Sequence, residues 1–288
     1  MRLSRRGLLK REDDPGGTVS IGCRRPGSPM DYQQIKVEDH EEVRLLVLSR
    51  PERLNAWTER MHTELVHAIE EGNLDKSVGA FVMTGDGRAF CAGADIGDVF
   101  GATLEDESLG YGSLTESVNW VGLVRESKPM VAAVNGPAIG LGLTMLLSMD
   151  FIVAHSDAKL SARFVKMGVV PELASSHFLV QRCGWGMASD LALSGRTISG
   201  DEAKKIGLVD EVVPDDVVGA AVKRARSYAE NAPSSLQLTK RLLTKNATET
   251  DLDLVQRREG QANEEAGSTP EHREAVNAFL EKRAPKFR

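Results

Sequence analysis

Cysteine is sparse in this chain of 288 residues: Cys23, Cys91 and Cys183 are odd in number, lie far apart and include no C-x-x-C pair. A disulfide framework or a structural zinc site needs evenly counted or closely paired thiols, so neither is supported. Such usage fits a reducing cytoplasm. Long apolar runs are also lacking, and nothing approaches the roughly 20 uninterrupted apolar residues of a membrane-spanning helix. A basic excess is lacking too: the net charge is −6 and the pI about 5.6. That balance argues against a general nucleic-acid binder, which neutralises phosphates with Lys and Arg. Neither G-x-x-x-x-G-K-[ST] nor G-x-G-x-x-G occurs, so no nucleotide phosphate cradle is indicated. No repeat runs at a fixed period.

What is there suits an ordinary globular protein. With 41% hydrophobic and 27% charged residues the chain can bury a sizeable core, and one domain with appendages is expected. A small molecule is the expected ligand. Residues 1–30 stand apart, with seven Lys/Arg against three acids and several Gly and Pro breakers. They read as a disordered basic tail. Within it "SRRGLLK" resembles a twin-arginine signal, but the charged, Gly-rich "REDDPGGTVSIG" follows where an apolar segment is required, which argues against export. A cleaner amphipathic pattern opens at Met30, so the tail reads as an over-extended start of the reading frame.

Past the tail, strands and helices alternate. "VRLLVLSR" (43–50), "GAFVMTG" (79–85), "PMVAAVNG" (129–136) and "DFIVAH" (150–155) read as buried strands. Thr58 caps a helix carrying Met61, Leu65, Ala68 and Ile69 at helical spacing. "IGLGLTMLLSM" (139–149) reads as another helix, and 101–113 as a mobile loop rich in Gly, Ser and acids. Beyond 180 helices dominate, with "LVDEVVP" (208–214) extended. The last run, "EHREAVNAFLEKR" (271–283), sets Ala275, Phe279 and Leu280 on one face. The fold class is therefore α/β with a helical tail, and such a tail suits self-association.

Two strands end in Gly-rich turns, "CAGADI" (91–96) and "NGPAIGLGL" (135–143). Glycine permits positive φ and a close approach of backbone to ligand, and the second turn runs into a helix start with unpaired N–H groups. If the amides of Ala94 and Leu141 converge, they form a two-donor oxyanion hole, each donor worth about 3 to 4 kcal/mol on a developing charge. The alternative is a pair of tight strand-to-helix connections. Asp95 beside the turn suits a loop-fixing acid that accepts backbone N–H groups. Cys91 reads as a small buried hydrophobe, and His155 and His177 as packing or surface residues.

"SRPERLNAW" (49–57), "GRAFCAGADI" (87–96), "NGPAIGLGLTMLLSMDFIVAHSDAKLS" (135–161) and "GRTISGDEAKKIGLVDEVV" (195–213), in this order and spacing, resemble the enoyl-CoA hydratase/isomerase, or crotonase, family. The resemblance covers about residues 31–286. It implies a crotonase-type spiral of ββα units over 31–230 and a helical trimerisation region over 231–288. It also implies an acyl-CoA thioester substrate whose carbonyl oxygen is held by the N–H groups of Ala94 and Leu141. Coenzyme A would arrive as part of the substrate and no separate cofactor is expected. The expected assembly is a homo-oligomer, a trimer or hexamer, without nucleic acid or membrane.

The same resemblance distributes roles over the site. The two glutamates by which hydratases of the family activate water fall at Thr144 and Phe164, neither a carboxylate, and Phe164 would exclude the water that hydration consumes. Glu172 in "VVPELASS" instead matches the single glutamate of members that move a 3-enoyl double bond to the 2-position. It would take a proton from C2 and return it to C4, its pKa raised by an apolar pocket. On its own residues, Pro171-Glu172 also reads as a helix opening, with Pro at the first position and an acid favoured by the helix dipole. Arg53, Phe279 and Lys282 are candidates for coenzyme A contacts, the last two sometimes from an adjacent subunit. Ala92 to Ile96 would meet adenine mostly through backbone, and Ala56 and Gly140 complete the expected substrate contacts. A hydratase using Glu172 alone, or a non-catalytic acyl-CoA binding protein of the same fold, are the rival readings.

Overall fold

The structure, a computed structural model, describes residues 30–97 and 118–288. The expectations for the tail before Met30 and for the loop at 101–113 lie outside those residues. The first described elements are a hairpin of β1 (Ile35–His40) and β2 (Val43–Leu48), followed by α1 (Glu59–Leu74) and β3 (Ala80–Gly85). Next come α2 (Trp120–Glu126), β4 (Met130–Val134), the two-residue β5 (Ala138–Ile139) and the single turn α3 (Leu141–Thr144). β6 (Phe151–His155) and β7 (Lys159–Ser161) precede the long α4 (Ser175–Ser194), then β8 (Ile198–Ser199), α5 (Gly200–Lys205) and β9 (Glu211–Val213). The chain closes with α6 (Val217–Ala229), α7 (Pro233–Asn246), α8 (Leu252–Gly267) and α9 (Pro270–Leu280). No helix among the described residues is long and apolar enough to cross a membrane.

The main sheet has the order β1-β2-β3-β4-β6-β9, parallel except for the β1–β2 hairpin. Its central strands are apolar at nearly every position because both faces are covered. Leu46, Leu48, Phe81, Met83, Ala132 and Val134 face the larger core with Met61, Leu65 and Ile69 of α1. The alternate residues Val43, Leu45 and Val47, with Val82, Val131 and Val153, face α6. On α6, Val217, Ala221, Ala225 and Ala229 recur every fourth residue, and this stripe of mostly small side chains lets the helix lie close to the sheet.

A second, smaller layer gives the chain its spiral. After β2, β3, β4 and β6 the chain returns through a short extended stretch, and these stretches pair with one another. Trp57 bridges Ala94, Cys91 bridges Ala138, and β5 pairs in parallel with β7, which pairs antiparallel with β8. Each turn thus adds one strand to each layer, the ββα repetition that the family resemblance implies. Between β2 and β3 the helix starts where expected: Thr58 Oγ1 accepts the Met61 N–H at 3.1 Å.

Four local readings need correction. The expected helix over 139–149 is helical only over Leu141–Thr144; beyond it the Leu147 and Met149 N–H groups donate to the Thr144 and Leu146 carbonyls, three residues back, as turns. The Met145 carbonyl, which a continued helix would offer to the Met149 N–H, accepts from Trp120 Nε1 at 2.9 Å. α8 escaped the sequence reading; it buries none of its residues, so it has no apolar stripe to announce it, although Asp251 caps it through the Leu254 N–H. β1 escaped as well, since Ile35 is its one fully buried residue. On α9 the inward residue is Ala278, while Phe279 and Leu280 are 82% and 72% exposed. Glu274 accepts from Arg283 and from the Lys286 N–H, tying the segment after the helix back to it.

Candidate active site

The two Gly-rich turns lie side by side. The Cys91 N–H donates to the Pro137 carbonyl and the Ile139 N–H donates to the Cys91 carbonyl, both at 3.0 Å. Gly93 has φ +103°, and a Cβ there would stand 3.0 Å from the Ile139 carbonyl oxygen. Gly140 has φ 56° and ψ −120°, a conformation that only glycine adopts readily. A Cβ on Gly142 would collide with the Cys91 carbonyl at 2.2 Å. Glycine at these positions therefore lets the turns touch.

On its other side the first turn pairs with residue 57. The Trp57 N–H donates to the Gly93 carbonyl at 2.8 Å, and the Asp95 N–H donates to the Trp57 carbonyl at 2.9 Å. In such a bridge the amide of the intervening residue points away from the partner strand. The Ala94 N–H is thus turned from Trp57 toward the side on which the second turn runs. Among the described residues neither the Ala94 nor the Leu141 N–H has a hydrogen-bond acceptor. These are the donors expected from the sequence, each following a positive-φ glycine.

Glu172 lies on the segment between β7 and α4. The helix begins at Ser175 with Ala174 as its N-cap and no side-chain cap, so the reading of Pro171 as first helical residue is corrected. Leu173 and Ala174 both take positive φ, 55° and 53°, and that left-handed pair sets Glu172 outside the helix. Its carboxylate is half-buried, with no hydrogen-bond or ion-pair partner among the described residues. Burial pushes its pKa above the ordinary carboxylate value. Nearby in sequence, the fully buried Ser175 leaves its hydroxyl without a partner among the described residues.

The other expected residues separate into groups. Thr144 is buried and donates its hydroxyl to the Leu141 carbonyl at 3.3 Å, so it fills the helix. Phe164 is buried in the larger core. Ala92 donates its N–H to the Leu54 carbonyl at 3.0 Å, and Ile96 is exposed. Arg53 is exposed on the loop that carries Ala56 and Trp57. Phe279 and Lys282 belong to the C-terminal segment, whose Arg288 donates to the Ala229 carbonyl and lies beside Gly79. Gly79 precedes β3 and the Ala94 turn follows it, so that tail docks at the opposite end of a strand about 20 Å long. Within one chain the structure does not bring Phe279 and Lys282 to the turns.

Cys91 is fully buried and its thiol is pushed up to about 12 by that burial, as suits a packing residue. His155 accepts the Asp157 N–H at 3.1 Å, and His177 packs edge-on against Phe178. Among the described residues no cluster of three His, Cys, Asp or Glu could hold a metal ion. Sequence reasoning missed Arg50, which forms an ion pair with Asp95 at 3.1 Å. Asp95 also accepts the Gly97 N–H at 3.2 Å, the loop-fixing role expected of it.

Comparison with known proteins identifies the family. The family model described as enoyl-CoA hydratase/isomerase matches residues 38–288. A probable enoyl-CoA hydratase, echA8, of Mycobacterium bovis is 34% identical over 259 residues, 90% of this chain and 99% of that one. The 1,2-epoxyphenylacetyl-CoA isomerase of Escherichia coli is 34% identical over 256 residues, 85% of this chain and 94% of that one. The crystal structure of an enoyl-CoA hydratase from Polaromonas sp. JS666 superposes with a TM-score of 0.82 at 28% identity, covering 88% of this chain and 99% of that one. Paired turns, spiral and sequence lead to one conclusion: the chain belongs to the enoyl-CoA hydratase/isomerase, or crotonase, family of acyl-CoA enzymes.

Proposed function

We propose that the protein moves the double bond of a 3-enoyl-CoA to the 2-position, with Glu172 as its single proton shuttle. The observation that carries this reading is the half-buried, unpartnered carboxylate of Glu172, held outside its helix with a pKa raised by burial. As carboxylate it removes a proton from C2 of the thioester. The negative charge spreads into a dienolate whose oxygen accepts the N–H groups of Ala94 and Leu141. The protonated Glu172 then gives a proton to C4, and the conjugated 2-enoyl thioester is released. A base with a raised pKa is suited to both halves of that exchange.

Hydration is the rival, and several relatives bear hydratase names. It requires a positioned water, whereas the two positions matched to the water-activating glutamates hold Thr144, whose hydroxyl is engaged, and Phe164, whose ring is buried. Isomerase names also occur among the relatives, as in the 1,2-epoxyphenylacetyl-CoA isomerase of E. coli, so hydration is not the family's sole outcome. A homotrimer or hexamer belongs to the same proposal. The test is to supply a 3-enoyl-CoA and a 2-enoyl-CoA separately and follow conjugation by ultraviolet absorbance. Appearance of conjugation from the first is expected; rapid loss of it from the second, with no migration in the first, would overturn the proposal.

A further inference from the structure

Arg50 closes a clip across the bridge that orients Ala94. Its Nη1 donates to the Ala56 carbonyl at 2.7 Å and pairs with Asp95 Oδ2 at 3.1 Å. Ala56 immediately precedes Trp57 and Asp95 immediately follows Ala94, so one guanidinium grips both strands of the Trp57–Ala94 bridge. The two side chains are only 15% and 14% exposed, which shields the pair from the solvent screening that weakens surface ion pairs. The arginine is itself anchored, because its N–H donates to Asn55 Oδ1 at 2.9 Å. Asn55 in turn donates to the carbonyls of Asp86 and Ala89, at 2.9 and 2.8 Å, on the strand-end loop that leads into the turn.

We propose that Arg50 and Asp95 are positioning residues, holding the Ala94 amide at the angle from which it donates to the thioester oxygen. This rests on the reading of Ala94 as an oxyanion donor and not on the direction of the chemistry. A donor acts on the developing charge only when it is aimed at the oxygen, and losing one such donor costs about 10²- to 10³-fold in rate. Letting one swing should cost part of that. Binding of coenzyme A, which draws on several other contacts, should change less than the rate.

The test is isotope-edited infrared spectroscopy of a saturated acyl-CoA labelled with ¹³C at its carbonyl, bound to the protein. The wild-type band is expected below that of the free thioester, as a polarised carbonyl requires. In Asp95→Asn and Arg50→Met the band should move back toward the free position, with kcat lowered roughly tenfold to hundredfold and KM changed by a smaller factor. Arg50→Lys, which keeps the charge but lacks the planar fork, should recover part of both. Asp95→Asn is nearly isosteric, so it carries the test if Arg50→Met does not fold. Folded variants that bind the thioester with the wild-type band would overturn the clip. A wild-type band that does not shift would overturn it together with the oxyanion reading. If no double-bond migration occurs but the band shift is lost in the variants, the isomerase proposal fails and the clip stands.

Discussion

The Glu172 carbonyl accepts the Ser175 N–H at 3.0 Å across two left-handed residues, Leu173 and Ala174. This tight turn ties the residue to the start of α4 through its backbone and leaves its carboxylate uncommitted. Non-glycine residues in that conformation cost about 1 to 3 kcal/mol each. A segment that carries such strain without a side-chain capping bond in return suits a side chain retained for chemistry rather than for stability.

Glu172→Gln is therefore expected to separate activity from stability. Isomerisation should fall by about 10² to 10⁴, the usual contribution of a positioned general base, while acyl-CoA affinity is nearly preserved. Thermal unfolding near pH 7 should shift upward, because the amide avoids the cost of ionising a partly buried carboxyl. A carboxylate serving as a structural cap would give the opposite shift, so the melting curve discriminates the two roles.

The pH dependence follows from the same burial. With the folded pKa above the unfolded value, the stability associated with protonated Glu172 is complete below the unfolded pKa and is lost as pH rises through the folded one. The stabilisation gained in Glu172→Gln should then shrink as pH is lowered. The catalytic profile runs the other way: the base must be ionised, so kcat/KM should fall on the acid side at a pH above that of an ordinary carboxylate. A profile flat down to ordinary carboxylate pH would remove Glu172 as the base.

Gly140→Ala probes the second turn. Nothing lies within 4 Å of the added Cβ, so the cost is one of φ alone, at 56°. Strain of about 1 to 3 kcal/mol is expected, relieved by rotation of the following peptide and hence of the Leu141 amide. The measurable outcome is a loss of kcat larger than the loss of stability accounts for. Thr144→Ala, by contrast, removes a hydroxyl engaged with the Leu141 carbonyl and should leave the rate within a few-fold.

Much of this was legible because strongly patterned segments fold as they read. The buried strands, the Thr58 cap and the two glycine turns rest on local chemistry that the sequence states directly. α8 was not legible, since a helix without a buried face shows no apolar stripe. Nor was the early end of α3, where Trp120 reaches in from a distant part of the chain to the Met145 carbonyl. The same holds in the site: the glycines and Glu172 stand out by motif, whereas Arg50 acquires its role only when folding brings it to Asp95, a residue on a different turn of the spiral.

His62 supplies a last expectation, on stability. Its ring is buried against Trp57 and Trp120, with centroids 5.6 and 6.2 Å away, the two tryptophans meeting each other edge-on at 5.6 Å, and its Nε2 has no hydrogen-bond partner among the described residues. Burial lowers its pKa. The unfolded chain therefore takes up a proton near pH 6.5 while the folded one resists, so stability is present above that pH and lost as pH falls toward the folded pKa. His62→Phe keeps an aromatic ring and removes the unpartnered nitrogen, and should be neutral or stabilising at pH 7. Chemical denaturation across pH 7 to 5 should show a shallower decline for this variant than for the wild type; parallel declines would place the acid sensitivity on other groups.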